Sequence, residues 1–95
     1  MTQLIGRVSH TGTVEIGSGF QSEKHSNGLY KVFFDSGKFT STPVVIATPD
    51  TSNFSSETYT VAVSLKNVST SGFTLSIENL DADTKEAAFN FVAYS

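Results

Sequence analysis

Hydrophobic and polar residues alternate with a period of two along the second half of the chain. From residue 58 to 66 every second side chain is apolar, namely Tyr59, Val61, Val63 and Leu65. After a polar connection at residues 67–72 the pattern returns with Phe73, Leu75 and Ile77. A period of two is that of a strand with one buried face, and Gly72 suits a tight reversal. We therefore predict an antiparallel hairpin.

The C-terminal segment, residues 87–94, alternates as well but carries apolar residues on both faces, including Phe89, Phe91 and Val92. Strands of this kind usually lie in the middle of a sheet. The acidic segment before it, residues 81–86, is predicted to be a solvent-exposed tip. A helix over residues 83–88 is not expected, because isolated helices need about 12 residues.

In the first half, residues 29–34 and 44–48 are β-branched or aromatic runs between turn-forming residues, and both predict strands. Pro43 lacks an amide donor and suits a strand start or an edge. Residues 13–16 form a further candidate strand, and residues 4–8 add another or form an arm. The Gly- and Ser-rich run 17–28 has no period and is predicted to be a long surface loop.

About six short strands and no helical period predict an all-β fold, a six-stranded antiparallel sandwich. We expect residues 12–95 to form this domain and residues 1–11 to form an N-terminal strand or arm. Two aromatic residues, Phe20 and Phe54, stand outside the alternation. They either pack under their own loops, which we favour, or face a partner.

The composition excludes several classes of function. The 95-residue chain has a net charge of −3 and no cluster of Lys or Arg, so it is not expected to bind nucleic acid. The absence of cysteine excludes disulfides, thiolate metal sites and a cysteine nucleophile. Its apolar runs are too short to insert into a membrane. The first residues do not resemble a signal peptide, so we expect synthesis in the cytoplasm, with release, extracellular action or association with a virion all open.

No catalytic or metal-binding motif is recognisable. His10 and His25 lie in segments predicted to be exposed and have no nucleophile motif beside them, so no enzymatic activity is expected. The carboxylates of Asp81, Asp83 and Glu86 lack the spacing of a calcium loop and are better explained as a solvated tip. We predict neither a metal nor a cofactor.

The order of the apolar elements resembles that of the H-type lectin domain, the fold of snail agglutinins and of the C-terminal part of discoidins. The resemblance covers residues 12–95 and lies in the run Val32-Phe33-Phe34, a second aromatic at Phe39, Pro43 before a Val-rich strand, the long alternating strand, the Gly72-Phe73 pair and the final Phe91-Val92-Ala93. It implies a sandwich that assembles as a homotrimer, sometimes as a hexamer of two trimers.

The resemblance further implies glycan binding, at pockets for galactose or N-acetylgalactosamine between neighbouring protomers, with roles in cell adhesion and receptor binding. The family's acidic residue falls on Glu23, close to His25, Ser26 and Asn27. The family's arginine falls on Thr60 or very close to it, and its aromatic and histidine pair falls near Leu80 and Asp81. This chain has no Trp, and Arg7 is its only arginine, so the fold carries over more fully than the sugar site does.

Two functions therefore compete. The first is a multivalent lectin. The second is a structural or receptor-binding trimeric component of a phage tail fibre or viral spike, which would use the same fold without the usual sugar site. In either case the apolar last strand and the face formed by residues 59–65 offer more apolar surface than one small core needs, and trimerisation would cover it.

Overall fold

The computed structural model describes residues 2–54, 60–79, 81 and 83–95. These residues form eight strands. The described part of the chain contains no helix long and apolar enough to span a membrane. The strands are β1 (Gln3–Val8), β2 (Val14–Ile16), β3 (Phe20–Ser26), β4 (Leu29–Phe34), β5 (Val44–Asp50), β6 (Val61–Ser69), β7 (Gly72–Asn79) and β8 (Ala88–Tyr94).

Two four-stranded sheets pack face to face, and every strand pairing is antiparallel. Sheet A has the order β2-β1-β8-β5, and sheet B has the order β3-β4-β7-β6. The predicted all-β antiparallel sandwich is confirmed, with eight strands in place of the expected six. The central position predicted for the last strand is also confirmed, because β8 lies between β1 and β5.

The predicted hairpin is formed by β6 and β7, with Leu65 opposite Leu75 and Val63 opposite Ile77. Near its turn the register shifts, so that residues 67 and 68 of β6 face the single residue Phe73 of β7. Asn67 has a φ of 56°, a left-handed conformation that Asn tolerates better than most residues. The extra residue is a β-bulge, which twists the strand locally.

The long surface loop expected at residues 17–28 is a wrong prediction, because most of it is β3, paired with β4. Phe20 is buried at the start of this strand, and Ser22 points inward and donates a hydrogen bond to the Gly12 carbonyl at 2.6 Å. The remaining side chains are mostly exposed. An edge strand with so few buried positions carries little hydrophobic period, so its sequence was indistinguishable from that of a loop.

The acidic segment at residues 81–86 is not the tip of a hairpin. β7 belongs to sheet B and β8 to sheet A, so the segment crosses from one sheet to the other. It is tied to sheet B by backbone hydrogen bonds from Lys85 N to the Ile77 carbonyl at 3.0 Å and from Asn79 N to the Asp83 carbonyl at 2.9 Å. Asp81 and Asp83 are exposed, as expected, whereas Glu86 is half-buried.

Phenylalanine rings from both sheets form the centre of the core. The Phe91 ring of sheet A meets Phe20 edge-on with centroids 5.0 Å apart, and meets Phe73 edge-on at 5.2 Å. Gly6, opposite Phe91 in the register, leaves room for these rings, since a methyl group there would lie 2.5 Å from the nearest carbon of both Phe20 and Phe91. Phe54 is half-buried against the same core.

The outer face of sheet A is largely apolar. Its exposed or half-exposed side chains form adjacent rows on four strands, and they are Ile5, Ile16, Val44, Ile46, Val92 and Tyr94. We call this surface the apolar face of sheet A. Val61, Val63 and Leu65, which were expected to add to such a surface, instead pack against the core. Tyr59 lies outside the described residues.

The sandwich has two distinct ends. At the loop end, the 9–13 turn, the β3–β4 hairpin, residues 51–54 and residues 83–87 lie together. At the opposite end, Thr2 and Ser95 exchange two backbone hydrogen bonds of 3.0 Å. The chain therefore begins and ends side by side, on the far side of the sandwich from the loop end.

The substitution Gly6→Ala is expected to destabilise the domain by about 1–3 kcal/mol, because the added methyl group overpacks the ring cluster. Urea unfolding followed by far-UV circular dichroism measures the effect. Gln3→Ala, at an exposed position of the same strand, is the control and should stay within about 0.5 kcal/mol of the parent. Equal stability of the two variants would contradict this account of the core.

Candidate functional site

The β3–β4 hairpin carries four of the candidate residues. Glu23 is exposed on β3 and pairs with Lys31 in the register. His25 is the extra residue where the register shifts between Lys24 and Ser26, so the backbone bends at this position. His25, Ser26 and Asn27 are all exposed to solvent.

The hairpin packs directly on the connection that precedes β8. The Asn27 amide donates a hydrogen bond to the Thr84 hydroxyl at 3.3 Å, and the Lys24 ammonium pairs with Glu86. Gly28 permits this approach, because its φ is 72° and a methyl group there would lie 2.8 Å from Thr84 Cβ. Two segments more than fifty residues apart in sequence therefore form one surface.

The other candidates also lie at the loop end. Thr60 is exposed and immediately precedes β6, while Asp81 is exposed and donates its backbone N–H to the Asn79 side-chain oxygen at 2.9 Å. Leu80 lies outside the described residues. The structure therefore places the candidates that it describes at one end of the sandwich, except Glu23, which lies in the middle of β3.

It does not gather them into one pocket within a protomer. Glu23 lies on edge strand β3, and Thr60 adjoins the opposite edge strand β6. Three strand spacings separate the two edges, about 14 Å at 4.7–4.9 Å each. A single monosaccharide therefore does not span Glu23 and Thr60 of one copy.

A charged cluster that the sequence analysis did not predict borders the same end on sheet A. The Arg7 guanidinium donates to Glu15 at 3.0 Å, to Asp50 at 2.9 Å and to the Asn90 side chain at 3.1 Å. These carboxylates raise the pKa of Arg7, the hydrogen bond to Asp50 being the largest cause. Hydrogen bonds from the Ser52 hydroxyl and amide, and then from Arg7, lower the pKa of Asp50.

The Arg7 cluster forms one wall of a polar cavity of about 240 Å³. The other walls include Ser9, His10, Ser52 and Asn53. The backbone carbonyl of His10 accepts a hydrogen bond of 2.6 Å from the buried Tyr30 hydroxyl, which fixes the 9–13 turn to sheet B. Among the described residues, no three His, Asp or Glu side chains are grouped in a way that could hold a metal ion.

Comparison with known families identifies the fold. A model of the H-type lectin domain family matches residues 29–94, from the start of β4 to the end of β8. The chain belongs to the H-type lectin domain family. H-type lectin domains bind carbohydrate and are in general not enzymes. No curated protein and no solved structure matches the chain.

The matched region divides the candidate residues of this H-type lectin domain. Thr60, Leu80 and Asp81 lie inside it, whereas the hairpin residues from Glu23 to Asn27 precede it. The hairpin assignment therefore depends on its position at the loop end, and the other three also depend on alignment with the family.

Tyr30 predicts a loss of stability at alkaline pH. Burial, and then the nearby Glu86 carboxylate, raise the pKa of Tyr30 from 10.0 to about 12. Above pH 10 the unfolded chain releases this proton before the folded chain does, so the free energy of unfolding falls as the pH rises from about 10 to 12. The variant Tyr30→Phe should show a smaller fall over this range.

Urea midpoints at pH 9 and pH 11.5 measure this difference. Gln3→Ala, which removes no titratable group at an exposed position, is the control and should keep the parent's pH dependence. At neutral pH, Tyr30→Phe should be about 1 kcal/mol less stable, because the hydrogen bond to His10 is lost. An identical alkaline response in Tyr30→Phe and the parent would contradict the assignment.

Proposed function

We propose that this protein is a lectin that binds galactose- or N-acetylgalactosamine-type glycans at its loop end, in pockets shared between the protomers of a homotrimer. The observation that carries the proposal is that five of the six candidate residues described by the structure lie at one end of an H-type lectin domain, with the sixth, Glu23, two residues from His25 on β3. The five are His25, Ser26, Asn27, Thr60 and Asp81.

The chemistry of these side chains suits sugar hydroxyl groups. The carboxylates of Glu23 and Asp81 accept hydrogen bonds from hydroxyls, and charge makes such bonds stronger than neutral ones. The Asn27 amide and the hydroxyls of Ser26 and Thr60 both donate and accept. Leu80 would give the sugar ring an apolar contact.

The apolar face of sheet A supports the homotrimer. Ile5, Ile16 and Ile46 are each more than half exposed, at 58%, 58% and 56%, and a shallow apolar depression of about 210 Å³ lies between them. Contiguous exposed apolar surface commonly marks an interface, and a second copy of the chain is the usual occupant in a closed assembly.

Assembly on this face also answers the separation of Glu23 and Thr60, which lie at opposite edges of sheet B. A three-fold arrangement would bring the loop ends of neighbouring copies side by side, so that one pocket draws on two chains. Three such pockets on one particle would raise the avidity for a glycan-covered surface above that of a single site.

One observation favours the alternative, a trimeric receptor-binding or structural component of a phage tail fibre or viral spike. The resemblance assigns the family's arginine to Thr60 or a position very close to it, and Thr cannot supply a forked, permanently charged set of donors. Arg7 does not substitute for it, since its guanidinium is held by Glu15, Asp50 and Asn90. In this alternative the fold is retained as a trimeric scaffold and a protein takes the place of the glycan.

A glycan array probed with the purified protein distinguishes these functions. We expect binding to terminal galactose or N-acetylgalactosamine. Glu23→Gln and Asp81→Asn should each weaken it about tenfold, the effect of losing one charge-assisted hydrogen bond of about 1.5 kcal/mol. Asp35→Asn, in the exposed turn at the opposite end, removes the same charge and is the control. An array that stays blank for galacto-, manno- and acidic sugars would refute the lectin and favour the fibre component.

Light scattering tests the assembly. The parent should have a mass of about 30 kDa, three times the 10.2 kDa chain. Ile46→Lys places a charge on the apolar face of sheet A and should yield monomers, because an unpaired charge is costly to bury. Ser64→Lys, on the outer face of sheet B, is the matched control and should remain trimeric. A parent protein of about 10 kDa at micromolar concentration would refute the trimer.

A further inference from the structure

A shallow depression of about 200 Å³ lies on the outer face of sheet B, near the β6–β7 turn. It lies on the opposite sheet from the apolar face of sheet A, and at its Lys31 edge it adjoins Glu23, the register partner of Lys31. Its lining combines the exposed Phe33 with polar residues that include Lys31, Asn67, Ser69 and Thr74.

The local backbone creates this depression. Phe33 of β4 lies opposite Gly72 of β7, so no side chain on β7 stands beside the ring in that row. On the next strand, β6, the bulge at residues 67 and 68 interrupts the regular register. The result is a recess bounded on one side by the Phe33 ring and on the other by Asn67.

Phe33 is an exposed hydrophobic residue among polar neighbours. Six large hydrophobic side chains are exposed in the described part of the chain, and five of them belong to the apolar face of sheet A. Phe33, 46% exposed, is the sixth and lies on sheet B. Its outward-facing neighbours along the register are the polar residues Gln21, Lys31 and Thr74. An isolated ring among hydrogen-bonding groups does not suit a large apolar interface.

We propose that this depression is a second carbohydrate site, which binds one pyranose unit of a glycan. One face of a pyranose ring can present mainly C–H bonds, and these would stack on the Phe33 ring. The hydroxyl groups at the ring edge would meet the Asn67 amide, the Lys31 ammonium and the Thr74 hydroxyl. An apolar surface with a few placed polar groups is the general composition of small-molecule sites.

The size of the recess fits a single sugar unit. Drug-sized ligands occupy pockets of about 300–1,000 Å³, larger than the 200 Å³ found here. One ring contact and a few solvent-exposed hydrogen bonds correspond to a dissociation constant of about 1 mM.

The backbone conformation of Asn67 supports the proposal independently of the exposed ring. It is the single non-glycine residue with positive φ in the described part of the chain, at 56°, where glycine would be free of the side-chain penalty. Sparsely populated backbone conformations cluster at binding sites, where a particular side chain is needed. Here the side chain at this position is the amide of Asn67, which lines the recess.

Two-dimensional ¹H–¹⁵N NMR titration tests the proposal. Methyl β-galactoside and methyl β-glucoside are added separately to the full chain, with glycerol as a polyol control. We expect saturable shifts of the Phe33, Gly72 and Thr74 amides with at least one sugar and none with glycerol. The amides of Asn27 and Asp81, at the loop end, report separately on the proposed lectin site, so either site can fail alone.

Three variants assign the contacts. Phe33→Leu keeps an apolar cover over Gly72 but removes the ring, and should weaken binding about fivefold. Phe33→Tyr keeps the ring and should bind within about twofold of the parent. Asn67→Gly preserves the bulge conformation while removing the amide, and should weaken binding about fivefold without loss of folding stability.

The proposal is overturned if these amides do not respond to either sugar, or if Phe33→Leu binds as tightly as the parent. It is also overturned if the amides shift with protein concentration alone, which would show that a second copy occupies the recess. Weakened binding in Phe33→Leu and Asn67→Gly together with retained binding in Phe33→Tyr would establish the site.

Discussion

The edge-on contacts of the Phe91 ring with Phe20 and Phe73 hold the two sheets together, and the other features of the molecule depend on them. They join β8 of sheet A to β3 and β7 of sheet B, and they require glycine at position 6. Because these rings fill the interior, the outward side chains of both sheets are not needed for the core. Each outer face is therefore free to carry a different surface.

A strand of this fold could be predicted from the sequence when enough of its inward positions are apolar to show the alternation. β6 and β7 were predicted because their inward side chains, such as Leu65 and Leu75, alternate with polar ones over most of each strand. β3 was not predicted, because Phe20 is its only buried residue and the residues that follow are polar and mostly exposed. Its strand conformation comes from pairing with β4, a tertiary effect that local pattern does not contain.

The sequence indicated which residues to consider for the site but not how they are arranged in space. The family resemblance pointed to loops that the fold does bring to one end, and the contact of Asn27 with Thr84 joins two of them. The Arg7 cluster was missed because its partners Asp50 and Asn90 are 43 and 83 residues away in sequence. Only the pairing of β1 and β5 with β8 brings these three side chains into contact.

The paired backbone of Thr2 and Ser95 has a consequence for how the domain can be carried. The two residues lie side by side at the end of the sandwich opposite the loops, so a connection at either one starts from the same point. Any polypeptide joined at either end would extend away from the loop end without crossing it. The domain is therefore suited to modular transplantation, in which it is mounted at the tip of a fibre or inserted into a host loop while its loop end stays in solvent.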